Sequence, residues 1–487
     1  MSRRAFPALV VLLAGIAALV VVTRDEPLPT EPVFAELTGA WMPSVSEAGA
    51  LTESWFCPGV PATADDGVGG EVVIANRNDS EVVGRFAVLT SEGVQAEQGF
   101  EVGPSSRTTV DVDAFVEADF ASVVVEVEGG GAFVEQRALH PAGNSVSACS
   151  DTTSDEWYLA DGFTLDGSIE TILLTNPFDE SVVADLRFST EAGETSPAAF
   201  KGFTVPPRSV KTVRIAELGA RDEPVIAAAV ETSAGRLVVG RAQHYLGGGR
   251  SGYDVSLAAP ALRDQFWFAD GEKGPEITEQ YAIYNPTDED VVVDVVLLGL
   301  PARAEFGNVE PIDVPAREVV VYDPNDSTTT GNIPRGRHAA VFSTLAEPSV
   351  VVERVINRPA SGTVATEVLL GAPPRIDGYV ATQWHVGIGP TEPTEDALVL
   401  YNLDQADATV TVWAVRDGGP FAVPSLTDIP VGPGSVATID LVADAVLDRE
   451  LIVSSSNRLF LERRLPRGTG LEGYSASWTL PANAPVL

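Results

Sequence analysis

The chain has 487 residues, with 69 Asp and Glu against 31 Lys and Arg, for a formal net charge of −38 at pH 7. Such a surface repels nucleic acid, which is therefore not expected as a partner. The acidity is spread through the chain and reads as a solubilising surface, with divalent-cation binding as the sharper alternative. The length is enough for several independent cores.

The first expected element is a membrane anchor over residues 1–24. Ser2-Arg3-Arg4 precedes an apolar run from Ala5 to Val22, about long enough to cross a bilayer as a helix. The two arginines set the N-terminus in the cytoplasm and the bulk of the chain outside. A cleaved signal peptide is the competing reading, but Val21-Val22-Thr23 matches a cleavage site poorly. Residues 25–53 read as an extended stalk, with Pro27, Pro29, Pro32 and Pro43.

Beyond the stalk one plan recurs four times, over residues 54–152, 153–263, 264–376 and 377–487. Each copy opens on an aromatic pair: Trp55-Phe56, Trp157-Tyr158, Trp267-Phe268 and Trp384-His385. Each then closes an apolar run on a turn asparagine: Asn76, Asn176, Asn285 and Asn402. Between 26 and 29 residues later comes Val102-Gly-Pro, Val205-Pro-Pro, Val314-Pro-Ala or Val431-Gly-Pro, followed by a β-branched run. Near the end of each copy stands an arginine: Arg137, Arg241, Arg354 and Arg463. A period of 100 to 117 residues matches whole small domains better than solenoid repeats. Short β-branched runs between Gly, Pro, Asn and Asp predict an all-β chain of four tandem immunoglobulin-like sandwiches.

The only two cysteines, Cys57 and Cys149, fall in the opening and closing strands of the first copy. In an exported chain they are expected to form a disulfide. The landmark arginines read as structural, each paired with a carboxylate such as Asp79, Asp179, Asp288 or Asp404. The tryptophans read as core, with a carbohydrate platform as the alternative.

No catalytic motif stands out. There is no Gly-x-Ser-x-Gly elbow and no His-Glu-x-x-His. Gly247-Gly-Gly-Arg-Ser-Gly252 lacks phosphate-loop spacing and reads as a hairpin loop. The loop Asp323–Gly331 has cation-binding composition without the ordered spacing of a calcium loop. His140 and His244 stand three residues after their landmark arginines, and a shared position in separate domains is expected to keep them apart. No cofactor and no metal are expected.

With these landmarks the chain resembles an uncharacterised family of actinobacterial secreted or membrane-anchored proteins of unknown function. The resemblance rests on the apolar N-terminus, Trp55-Phe-Cys57, Leu174-Thr-Asn-Pro177, Phe203-Thr-Val-Pro206 and Gly240-Arg241. It implies a cell-envelope role alongside surface-polysaccharide assembly, and it carries over no catalytic residue. The expectation is a non-catalytic, single-pass membrane protein with its bulk extracellular: a row of sandwiches binding or scaffolding an envelope glycan or protein. An enzyme or accessory acting on envelope polysaccharide is the alternative.

Overall fold

The structure is a computed structural model that describes residues 42–46, 52–63, 67–300, 311–326, 333–344, 347–372, 381–416 and 419–482. The expected anchor and most of the expected stalk lie outside the described residues; of the expected stalk, residues 42–46 are packed into the body, with Met42 and Val45 buried and Val45 N donating to the Pro481 carbonyl at 2.9 Å. Among the described residues no helix is long and apolar enough to cross a membrane. The only helical elements are 3₁₀ turns of three or four residues, and the described chain is otherwise strands and turns. All strand ladders are antiparallel. The all-β expectation therefore holds.

In the first repeat one sheet runs in the order Thr52–Ala62, Ala118–Glu128, Val82–Thr90, Gly93–Val102. The second runs Ser106–Asp111, Gly69–Asn76, Ala132–Leu139, Ser145–Ala148. The second and third repeats follow the same two orders. In the fourth, the 16-residue strand Leu451–Pro466 passes through both sheets and joins them. Where one strand face meets the core the alternation is clean: Val291, Val293, Val295 and Leu297 are buried and the residues between them are not.

Each turn asparagine is a buried clamp. Asn285 Nδ2 faces the carbonyls of Glu289, Val314 and Pro315 at 2.8, 3.1 and 3.1 Å, and its Oδ1 accepts from Thr287 N at 3.0 Å. Asn76, Asn176 and Asn402 make the same set of bonds in their own repeats. One side chain thus ties the first turn to the Val-x landmark 26 to 29 residues on. The turn after that landmark needs a left-handed residue, and Ser105, Arg208, Arg317 and Gly434 supply φ of 44°, 45°, 61° and 60°.

Cys57 and Cys149 are disulfide-bonded. The neighbouring Phe56 and Ser150 exchange both backbone hydrogen bonds, at 2.7 and 2.8 Å, so the opening strand is tied to the end of its own repeat.

The repeats do not form a row. Residues Trp41–Leu487 are one compact unit. The last strands of the repeats, Ser145–Ala148, Gly252–Leu257, Thr363–Leu370 and Tyr474–Trp478, touch in sequence, and the fourth touches the first. The four sheet pairs close into a ring around these strands. Apolar clusters cross the boundaries: Ile388 and Leu465 of the fourth repeat pack on Val73 and Val146 of the first. Phe163 and Tyr245 of the second pack on Val355 and Val368 of the third.

Candidate functional site

The polar residues that recur from repeat to repeat meet at the seams. Arg241 of the second repeat reaches Glu353 of the third, Nη2 to Oε1 at 3.0 Å. Arg354 of the third pairs with Glu462 of the fourth at 2.8 Å. Arg463 of the fourth pairs with Glu135 of the first and so closes the ring. In each seam the same carboxylate also accepts from the backbone of the arginine's own repeat: Ala160 N and Asp161 N at 2.8 and 2.6 Å, Ala269 N at 2.6 Å, Ile388 N at 2.8 Å. All six side chains are at most 2% exposed.

The first-to-second seam is built differently. The strand register places Gln136, not Arg137, where the other repeats have arginine. Gln136 lies opposite Val72, as Arg241 lies opposite Ile172, Arg354 opposite Tyr281 and Arg463 opposite Leu398. The glutamate position there is Gly240. A Cβ at Gly240 would sit 2.6 Å from Pro58, which fills the space, while Thr175 Oγ1 donates to the Pro58 carbonyl at 2.9 Å. Arg137 points to the other face and pairs with Glu71 beside it (Nε to Oε2, 2.8 Å).

The tryptophan series has a similar one-residue slip. Trp55, Trp157 and Trp384 are fully buried, and their equivalent in the third repeat is Phe266. Trp267 is half-buried on the opposite face, against Tyr401 and Phe460 of the fourth repeat. Of the aspartates named as arginine partners, three pair with other arginines: Asp404 with Arg458 at 2.8 Å, Asp288 with Arg317, and Asp179 with Arg208 at 3.9 Å. His140 and His244 do meet, with ring centroids 4.7 Å apart, and Tyr253 stacks on His140 at 4.1 Å. The expectation that they stay apart fails because consecutive repeats pack directly on one another, the last strands Ser145–Ala148 and Gly252–Leu257 in contact. Burial, with the charge of His244, lowers His140 to about 4. Of the expected loop Asp323–Gly331, only its first four residues are described, where Asp323 Oδ1 accepts from Asn325 N at 2.7 Å.

Buried charge is heaviest between the third and fourth repeats. Asp270 bonds Arg464 at 2.5 Å and also pairs with Arg337 and Arg358. Burial would raise its carboxyl, but the arginines outweigh it and hold it below the usual carboxylate range. Glu279 is bonded by the hydroxyl of Tyr281 and lies 3.3 Å from His338 Nε2. The equivalent carboxyl in the second repeat, Glu170, has neither partner. Ile172 stands for Tyr281 and Ile226 for His338, and both Glu170 oxygens are without a hydrogen bond. Burial raises Glu170 to about 8, partly offset by Arg241.

Two clefts open at the seams of the first repeat. One, of about 330 Å³, faces the second repeat and holds Arg85, Glu97, Glu126 and Arg208. The other, of about 380 Å³, lies at the closing seam and is lined by Arg107, Arg416, Arg449, Asp448 and Glu450 among others. Arg107 donates to the Gly387 carbonyl at 2.6 Å and to that of Asp448. Glu450 is 2% exposed with neither oxygen hydrogen-bonded. Burial raises it to about 8, offset in part by Arg107 and reinforced by Glu135. Among the described residues no group of three or more His, Cys, Asp or Glu could hold a metal ion.

This is an all-β, sandwich-like protein whose seams carry its recurrent chemistry. Residues 136–259 match a family of unknown function (DUF5719). No curated protein matches the chain. Among solved structures, the crystal structure of Thermotoga maritima 1070 is similar at 16% identity and a TM-score of 0.19, covering 22% of this chain and 92% of that one.

Proposed function

We propose that the protein is a non-catalytic, membrane-anchored binding and scaffolding module of the bacterial cell envelope. Its four repeats are immunoglobulin-like sandwiches held outside the cell by the N-terminal segment. The observation that carries this reading is the use made of the repeated charges. Arg241, Arg354 and Arg463, with Glu353, Glu462 and Glu135, are all spent inside seams at no more than 2% exposure. Repetition here builds one stiff platform and leaves its surface to individual residues. Such a platform suits presenting a partner in fixed geometry, because preorganisation lowers the ordering cost of binding.

The test immobilises the full-length chain and passes envelope polymer over it, measuring retention and release of new reducing ends together. Retention without release is expected. Release of fragments that disappears on changing a single carboxylate would overturn the reading.

A further inference from the structure

We propose that the cleft at the closing seam is a binding site for a small oxyanion, a carboxylate or a phosphate ester, held between Arg416 and Arg449 over Arg107. This deepens the binding role argued above and rests on it.

The first argument is departure from the repeat. Arg107 follows the left-handed turn at the position that Val210, Val319 and Val436 hold in the other repeats. Glu450 stands where the others have Ser122, Ala227 and Ala339. Two charged residues thus replace apolar or small ones on opposite sides of one seam. Positions that break an otherwise consistent pattern at a cost are where function is expected.

The second argument is a comparison of the two clefts. At the first-to-second seam Arg85 pairs with Glu126 and Arg208 with Glu97, so its arginines are already neutralised. At the closing seam the Arg416 guanidinium lies over the Phe421 ring at 4.0 Å. Among the described residues neither Arg416 nor Arg449 has a carboxylate partner. Asp448 and Glu450 are the carboxyls of the lining, and both act on Arg107. Burial raises the Glu450 carboxyl, so it opposes the arginines less than an exposed carboxylate would. The lining sets three guanidiniums against the carboxyls of Asp448 and Glu450, a local positive excess in a chain of net charge −38.

Planar guanidiniums recognise carboxylate and phosphate through paired N–H bonds. The volume of about 380 Å³ falls in the range that holds small ligands. The cleft is therefore sized for one acidic group on a small molecule or chain end.

The experiment titrates the full-length chain with inorganic phosphate and with glucuronate by calorimetry, with glucose as the neutral control. One or both anions should bind and glucose should not. Phosphate alone identifies a phosphoryl site, and glucuronate alone a carboxylate site. The double variant Arg416→Gln, Arg449→Gln should weaken binding at least about tenfold without changing the unfolding midpoint. Arg208→Gln in the sister cleft should leave binding unchanged. Absence of binding by both anions at millimolar concentration, or binding indifferent to the double variant, would refute the site. Retention of envelope polymer that persists in that case would leave the broader binding role standing.

Discussion

Glu135→Gln tests the closing of the ring. Three of the four seams join repeats that follow one another along the chain; the fourth joins the last to the first and is held by side chains, packing and a backbone hydrogen bond from Asn144 N to the Arg467 carbonyl at 2.6 Å. At its centre Glu135 accepts from both Arg463 Nη atoms and from Ile388 N, with Glu135 at 0% and Arg463 at 1% exposure. Glutamine keeps the shape and removes the charge, which leaves a buried guanidinium uncompensated. Breaking a buried pair in this way costs about 3–5 kcal/mol. At about 1.4 kcal/mol per tenfold, seam opening becomes roughly two to four orders of magnitude more frequent. Hydrogen exchange followed by mass spectrometry should show that loss of protection at Ile388 and along Ser145–Ala148 and Tyr474–Trp478. The control is Glu126→Gln, which removes the solvent-exposed pair with Arg85 and should change nothing in the same peptides. Equal protection in wild type and Glu135→Gln would mean that packing alone closes the ring, and the argument from buried charge would fail.

Asn285→Ala should destabilise by roughly 3 kcal/mol, since three carbonyls and the Thr287 N–H lose one buried partner; Asn285→Asp should also fail, because a carboxylate cannot donate. A loss under about 1 kcal/mol in denaturant unfolding would contradict the clamp. Glu170→Gln tests the orphaned carboxyl. Its folded pKa of about 8 lies above the ordinary value of 4.5, so the folded state holds the proton more tightly, and its contribution to stability falls as pH rises from 4.5 to 8. The difference between wild type and variant should change across that window by at most roughly 5 kcal/mol, favouring the variant at the alkaline end; a pH-independent difference would show Glu170 to be solvated.

Much of the scaffold was legible in the residues. Asn76 and its equivalents carry a turn signature whose chemistry is local, and the cysteines fell in the first strand and just after the last strand of one repeat. The landmark arginines were visible, but their partners were not. Glu353 and Glu462 sit beside Arg354 and Arg463 in sequence, yet each serves the preceding repeat, because adjacent strand residues face opposite ways. The slips at Arg137 and Trp267 have one cause. Runs such as Val134-Glu-Gln-Arg and Phe266-Trp-Phe are too uniformly buried, or too rich in candidates, for a period of two to mark the face. Contact between repeats had no local signal at all, so the meeting of His140 with His244 and the cleft around Glu450 stayed hidden. Both depend on contacts between repeats that the strand pattern of any single repeat does not encode.

The closed ring also fixes the copy number. An open array of repeats has two ends, and stacking another unit onto either adds one interface to those already present. Duplication and deletion can therefore lengthen or shorten it by degrees. Here four units share four interfaces, and removing any one destroys two while leaving the remaining three at the wrong angle to meet. A fifth unit would have to force open the Arg463–Glu135 contact and the packing of Tyr474–Trp478 on Ser145–Ala148. Gain or loss of a whole copy, which an open array tolerates, would therefore disrupt the closed ring here.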